Sequence, residues 1–189
     1  MLAAGGKRGI IGLAGKVAGD RNRTRIGKVV IPDVHDGAAL TERFSAGSPS
    51  AGPTVVTNSM DVASRLSATG LLHHHVVGGS YSPIGNCFLG PLAVEGLEQF
   101  TIDVAVLGAS GITDDGISVA DVAEAQVKRA AITRARRIIV LLDSSKVGLR
   151  DLIVVTDLSA IDTVITERHD PEFQRIWDSH GIQLKVSGA

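Results

Sequence analysis

The chain has 189 residues, enough for one domain with a full core and short for two. Of these, 44% are hydrophobic and 3% aromatic, so Val, Ile, Leu and Ala must fill the interior, as in a parallel sheet covered on both faces. Lys and Arg number 19 against 20 Asp and Glu, a formal charge of -1, which excludes attraction of the whole chain to nucleic acid or an anionic membrane.

One cysteine, Cys87, allows neither an internal disulfide nor a zinc cluster, and a cytoplasmic location is expected. No apolar run approaches the roughly 18 residues of a membrane span. Residues 1–27 read as a basic, glycine-rich arm: Lys7, Arg8, Lys16, Arg21, Arg23 and Arg25 face the single acid Asp20. Its glycines weaken any helix, and no pair of amphipathic helices forms a helix-turn-helix. Residues 28–189 read as the folded domain.

Lys28 to Ile31 is expected to be a first strand, ending in the loop Pro32 to Gly37, with a helix over Ala38 to Phe44 and a Gly, Pro and Ser loop over Ala46 to Pro53. Thr54 to Val56 is a second strand, and Thr57-Asn58-Ser59 lead into a helix burying Val62, Ala63 and Leu66. Leu71 to Val77 has strand character and stops at Gly78-Gly79. His73, His74 and His75 invite a metal assignment, but adjacent strand side chains point to opposite faces, so no metal site is expected.

Ser80 to Pro83 reads as a polar loop. Gly90-Pro91 starts a helix with Leu92, Ala93, Gly96, Leu97 and Phe100 on its buried side. Ile102 to Leu107 is a buried strand closing in Gly108-Ala109-Ser110-Gly111-Ile112, a sequence that suits an anion-cradling nest or a tight turn. After the turn Asp114-Asp115-Gly116, Val119 to Arg136 has helical spacing, with Glu124 and Lys128 four apart as a weak surface pair.

Ile138 to Leu142 is an apolar run that delivers the polar loop Asp143-Ser144-Ser145-Lys146. Ile153 to Val155 is a strand or loop, Thr163 to Thr166 a strand, Pro171 to His180 a helix packing Phe173, Ile176 and Trp177, and Ile182 to Val186 a last strand. Four of these strands end in polar or glycine-rich loops, at Thr57-Asn58, Gly78-Gly79, Gly108 to Gly111 and Asp143 to Lys146. Such one-sidedness marks a ligand pocket on the carboxyl edge of an open α/β sheet. Amides, hydroxyls, an ammonium and a carboxylate together suit a phosphorylated polyol.

The segments Thr54 to Ser59, Gly78-Gly79, Gly90 to Ala93, Gly108 to Ile112, Glu124 to Lys128, Asp143 to Lys146 and Ile161 to Thr166 follow a known order and approximate spacing. From about Lys28 onward the chain resembles the effector-sensing domain of DeoR-type bacterial transcription regulators. That resemblance implies a Rossmann-like α/β fold, a mostly parallel sheet with helices on both faces, related to ribose-phosphate isomerase and glucosamine-phosphate deaminase. It implies a sugar-phosphate effector, with DNA contacted only through a helix-turn-helix head absent from this chain. By position, Thr57, Asn58, Gly78, Gly79, Ser110, Gly111, Glu124, Lys128, Asp143 and Lys146 look like the effector-pocket residues. No cofactor, no metal and no membrane partner are expected, and a homo-oligomer is.

Two features depart from the family. Pro32 to Gly37 stands where a run of Ser, Gly and Thr normally holds phosphate, and its acids oppose an anion. No arginine follows the glycine pair. The alternative function is a sugar-phosphate isomerase or deaminase, with Asp143 or Glu124 as base and Lys146 or Lys128 stabilising an enediolate; a third is a ligand-poor oligomerisation module.

Overall fold

In the computed structural model, the described residues are 28–31, 54–68 and 73–186. The expected arm at 1–27, the loop and helix over 32–44, the loop over 46–53 and the first two residues of the third strand lie outside them.

Seven strands form one sheet: β1 (Lys28–Ile31), β2 (Thr54–Thr57), β3 (His74–Val76), β6 (Val104–Gly108), β9 (Ile138–Leu141), β11 (Thr163–Thr166) and β12 (Gln183–Val186). Their spatial order is β12-β11-β9-β6-β1-β2-β3, and every pairing is parallel. Counted within the sheet, the first three strands run outward from β1 in one direction and the last four in the other. This is the Rossmann-like, doubly wound arrangement, whose direction reverses between β1 and β6.

Both faces of the central strands are covered, which is why their sequences are continuous apolar runs. Ala105, Leu107, Val140 and Val164 share a core with Leu97, Ala131 and Trp177. The alternate residues Val104, Val106, Ile139 and Ile165 are equally buried but lie outside that cluster. Four helices are described: α1 (Met60–Ala68), α2 (Pro91–Glu98), α3 (Val122–Arg134) and α4 (Pro171–Ser179). Val62 and Leu66 of α1 are also buried outside the cluster that holds the α2, α3 and α4 residues, so helices flank both faces. None of the described helices is long and apolar enough to cross a membrane.

Several expectations change in detail. Ser80 to Pro83 is not simply a loop: β4 (Ser80–Ser82) pairs antiparallel with β5 (Cys87–Leu89) as a hairpin. Its turn closes at Asn86, whose positive φ of 47° asparagine tolerates better than most residues. Gly111 to Ile112 likewise leave the expected loop for β7 (Gly111–Thr113), which pairs with β8 (Gly116–Val119).

Ile153 to Val155 settles as the strand β10 (Ile153–Thr156), antiparallel to β8 in a separate three-stranded sheet. Val119 therefore belongs to a strand, and α3 starts only at Val122, where the Asp121 carboxylate accepts the Glu124 amide at 2.8 Å. On α2, Ala93 and Leu97 form the buried stripe, four residues apart, whereas Leu92 falls off it and is 69% exposed.

The histidine triplet divides as strand geometry requires. His74 lies 3.3 Å from the Ser67 hydroxyl of α1, and the His75 ring stacks obliquely on Phe100 at 5.2 Å.

Candidate functional site

The carboxyl edge of the sheet carries a cavity of about 250 Å³ lined by the end of β6 (Gly108, Ala109, Ser110), the start of α3 (Asp121, Glu124, Lys128), the β4–β5 hairpin and Lys146. It adjoins the switch point, where the loops of neighbouring strands diverge to opposite faces and leave a crevice. Of the ten residues singled out from sequence, Ser110, Glu124, Lys128 and Lys146 line this space together.

Lys128 is the residue whose surroundings differ most from expectation. Its ammonium lies 3.1 Å from the Glu124 carboxylate, and its side chain is 1% exposed against 24% for Glu124. Lys128 is buried at the cavity wall beside a partly exposed Glu124, and the two do not form a solvated surface pair. The reason is α3 itself, which also buries Ala125, Val127, Ala130 and Ala131. It packs against α2 and β10 as well as the sheet, and Arg129 on α3 donates from Nε to the Val155 carbonyl at 3.1 Å. A buried ammonium must be paired, and one turn of helix brings its carboxylate to it.

Lys146 and Asp143 sit in the short 3-10 turn Ser144–Lys146 that follows β9. Asp143 does not line the cavity. Its carboxylate caps the turn, accepting the Ser145 amide at 3.0 Å and the Ser145 hydroxyl. Lys146 is thereby held toward the cavity by a capped turn, and its ammonium makes no ion pair among the described residues.

Glu167, which the sequence reading passed over, reinforces this turn from the end of β11. Its carboxylate accepts the Ser144 amide at 2.9 Å, the Ser144 hydroxyl and the Thr166 hydroxyl at 3.1 Å. Partial burial pushes the Glu167 carboxyl up, but the hydrogen bonds from Ser144, its own backbone and Thr166 outweigh it and hold the pKa below the ordinary 4.5.

The remaining sequence candidates do not border the cavity. The Thr57 hydroxyl accepts the Ser59 amide at 3.1 Å, and the Asn58 side-chain amide donates to the Phe88 carbonyl at 2.7 Å while the Asn58 backbone carbonyl accepts the Phe88 amide at 2.8 Å. Asn58 thus pins β5, whose Cys87 and Leu89 form a wall of the cavity. A Cβ at Gly79 would meet the Leu89 carbonyl at 2.5 Å, so this glycine lets the chain pass against β5. Gly111 is similarly crowded: a Cβ there would lie 2.1 Å from the Leu149 carbonyl oxygen. A Cβ added at Gly78, by contrast, would meet nothing within 4 Å.

Asp121, Cys87, Leu89 and Ala120 join the lining without having been singled out. An acid three residues before Glu124 at the start of a helical run is a readable cap signal. The three-residue strand β5 is too short to carry a periodic one.

Comparison with known proteins agrees with this fold. A family model described as the DeoR C terminal sensor domain matches residues 48–168. The chain is 30% identical over 173 residues to the HTH-type transcriptional repressor GlcR of Bacillus subtilis (strain 168), covering 87% of this chain and 67% of that protein. It is 29% identical over 134 residues to the glycerol-3-phosphate regulon repressor of Escherichia coli (strain K12), covering 70% and 53%. Both relatives are named as repressors, and neither name is that of an isomerase or deaminase. Among solved structures, eIF2B beta from Chaetomium thermophilum superposes with a TM-score of 0.54 at 13% identity, over 92% of this chain and 53% of that one, a likeness of fold alone. The chain thus spans between about half and two thirds of the length of these curated relatives.

Proposed function

Because the chain belongs to the DeoR C-terminal sensor domain family, we propose that its cavity binds a small phosphorylated sugar and that this domain senses the effector for a transcription regulator. The observation that carries the reading is the meeting, in one cavity at the carboxyl edge, of Lys146 with the ion pair of Glu124 and the buried Lys128. Lys146 supplies a cation for an anionic group. Glu124 and Lys128 offer an acceptor and donors to hydroxyl or carbonyl groups, and their mutual neutralisation keeps that end of the cavity polar without net charge. Ser110 adds a hydroxyl from the end of β6.

A space of about 250 Å³ lies below the usual size of drug-sized sites and fits a monosaccharide derivative. In this reading Asp143, Glu167, Asn58 and Gly79 act through the residues they position, and DNA is bound through a helix-turn-helix head outside the described domain, in a homo-oligomeric regulator.

Thermal shift against triose, pentose and hexose phosphates, each paired with its unphosphorylated sugar, tests the proposal. A bound effector raises the melting temperature with concentration according to the linkage relation. Lys146→Ala is expected to abolish the shift while leaving the unliganded melting temperature nearly unchanged. Absence of any shift with every phosphorylated sugar at millimolar concentration would sink the reading.

A further inference from the structure

The cavity lining divides chemically by element. Its charged side chains, Asp121, Glu124, Lys128 and Lys146, come from the start of α3 and from the turn after β9. The β4–β5 hairpin contributes Ile84, Cys87 and Leu89, and none of its lining residues is charged. Cys87 and Leu89 are buried, whereas Ile84, in the hairpin turn, is 92% exposed although it borders the same space. A single exposed apolar residue needs no explanation in itself. One that forms part of a cavity wall offers apolar area for burial against a molecule held there.

Strand alternation builds the wall and side-chain hydrogen bonds fasten it. Along β5, Cys87 and Leu89 line the cavity, while Phe88 between them meets its cross-strand partner Tyr81, with ring centroids 6.0 Å apart. Asn86 closes the turn: its side chain accepts from the Tyr81 hydroxyl at 2.8 Å and donates to the Asp61 carboxylate at 2.7 Å, and its backbone carbonyl accepts the Met60 amide at 2.9 Å. On the other side of Ile84, the ring of Pro83 fixes a backbone angle. Ile84 is therefore presented on a fastened turn and loses little conformational freedom when a ligand packs against it.

We propose that Ile84 is a specificity-determining contact of this cavity, packing on the carbon face of a bound sugar while the charged side chains take its phosphate and hydroxyls. The inference deepens, and rests on, the reading of the cavity as a sugar-phosphate site. A sugar carries C–H groups beside its hydroxyls, so it matches a lining that is apolar on one element and charged on the others. Inorganic phosphate has no carbon surface and gains nothing from Ile84. Lys146 attracts both anions alike, and the hairpin turn separates them. Taking most of one aliphatic side chain out of water changes affinity by about tenfold.

Thermal shift titrations of the parent, Ile84→Asn and Ile84→Leu test this with triose, pentose and hexose phosphates and with inorganic phosphate. Ile84→Asn is expected to weaken binding of the stabilising sugar phosphate by about tenfold, and Ile84→Leu to keep the parent's affinity. Inorganic phosphate is expected to give a smaller shift or none, the same for all three proteins. The melting temperature without added ligand is expected to stay nearly unchanged, since the side chain is exposed. If no phosphorylated sugar stabilises the parent, the effector reading falls and this inference with it. If a sugar phosphate stabilises the parent and Ile84→Asn binds it as tightly, Ile84→Leu fails to restore it, or Ile84→Asn weakens inorganic phosphate in the same proportion, this inference alone is overturned.

Discussion

Replacing Glu124 by glutamine is expected to cost more stability than replacing Lys128 by methionine, although the two side chains form a single ion pair. The asymmetry follows from their burial, 1% exposure for Lys128 and 24% for Glu124. With Glu124 neutral, a buried ammonium loses this carboxylate from among its partners, and breaking a buried pair costs about 3–5 kcal/mol. The partly open carboxylate side places this case near the lower end, about 3 kcal/mol, and the lost negative charge in the first turn of α3 adds about 0.3–1 kcal/mol.

For a domain of this length, about 2–4 °C per kcal/mol converts that loss of about 3.3–4 kcal/mol into a fall in melting temperature of roughly 7–16 °C. With Lys128 replaced by methionine, the apolar stem and volume remain and the stranded carboxylate hydrates through its open side, so the cost is about 1 kcal/mol. Urea unfolding of both variants, with the slope m unchanged, measures the difference directly. The double variant is expected to be more stable than Glu124→Gln alone, because it removes the buried cation that Glu124 no longer neutralises. A Lys128→Met variant that loses as much stability as Glu124→Gln would refute the assignment of Lys128 as the desolvated member.

Glu167 has a depressed carboxyl pKa in the fold, so its contribution is present above the unfolded value and is lost as pH falls through the lower folded value. Unfolding free energies measured from neutral pH to well below 4.5 are expected to fall more steeply for the parent than for Glu167→Gln. Gly111→Ala should destabilise the chain by about 2 kcal/mol or more with or without effector, since its Cβ would collide with a backbone carbonyl. Gly78→Ala meets no atom, so its stability should change by less than about 0.5 kcal/mol, and any loss of effector affinity by calorimetry would assign Gly78 to the ligand. Asn58→Ala removes the bond that pins β5 and is expected to cost about 1–3 kcal/mol in urea unfolding.

The residues of β6, β9 and β11 announce their own structure, because a strand covered on both faces has no room for polar alternation. The glycines, prolines and capping acids at 90–91, 121 and 170–171 mark where α2, α3 and α4 begin. The place of Lys146 at the cavity was legible since it ends a polar turn at the carboxyl edge of a buried strand. The burial of Lys128 was not, because an i, i+4 charge pair has the same spacing whether the helix face meets water or a second layer of protein. Glu167 escaped notice for a related reason: its partner Ser144 belongs to the neighbouring strand's loop, a proximity decided only when β11 pairs with β9.

By itself, the amino-acid sequence determined the elements and the edge on which their polar ends collect, since those depend on local burial and on glycine and proline backbone preferences. Only the tertiary structure decided which of those ends meet. Crossovers placed the ends of β6 and β9 side by side next to β1, moved β2 and β3 beyond it, and set the β4–β5 hairpin between Asn58 and the cavity. Strand order is written in no local pattern, because it follows from which faces can be covered at once by the connecting segments.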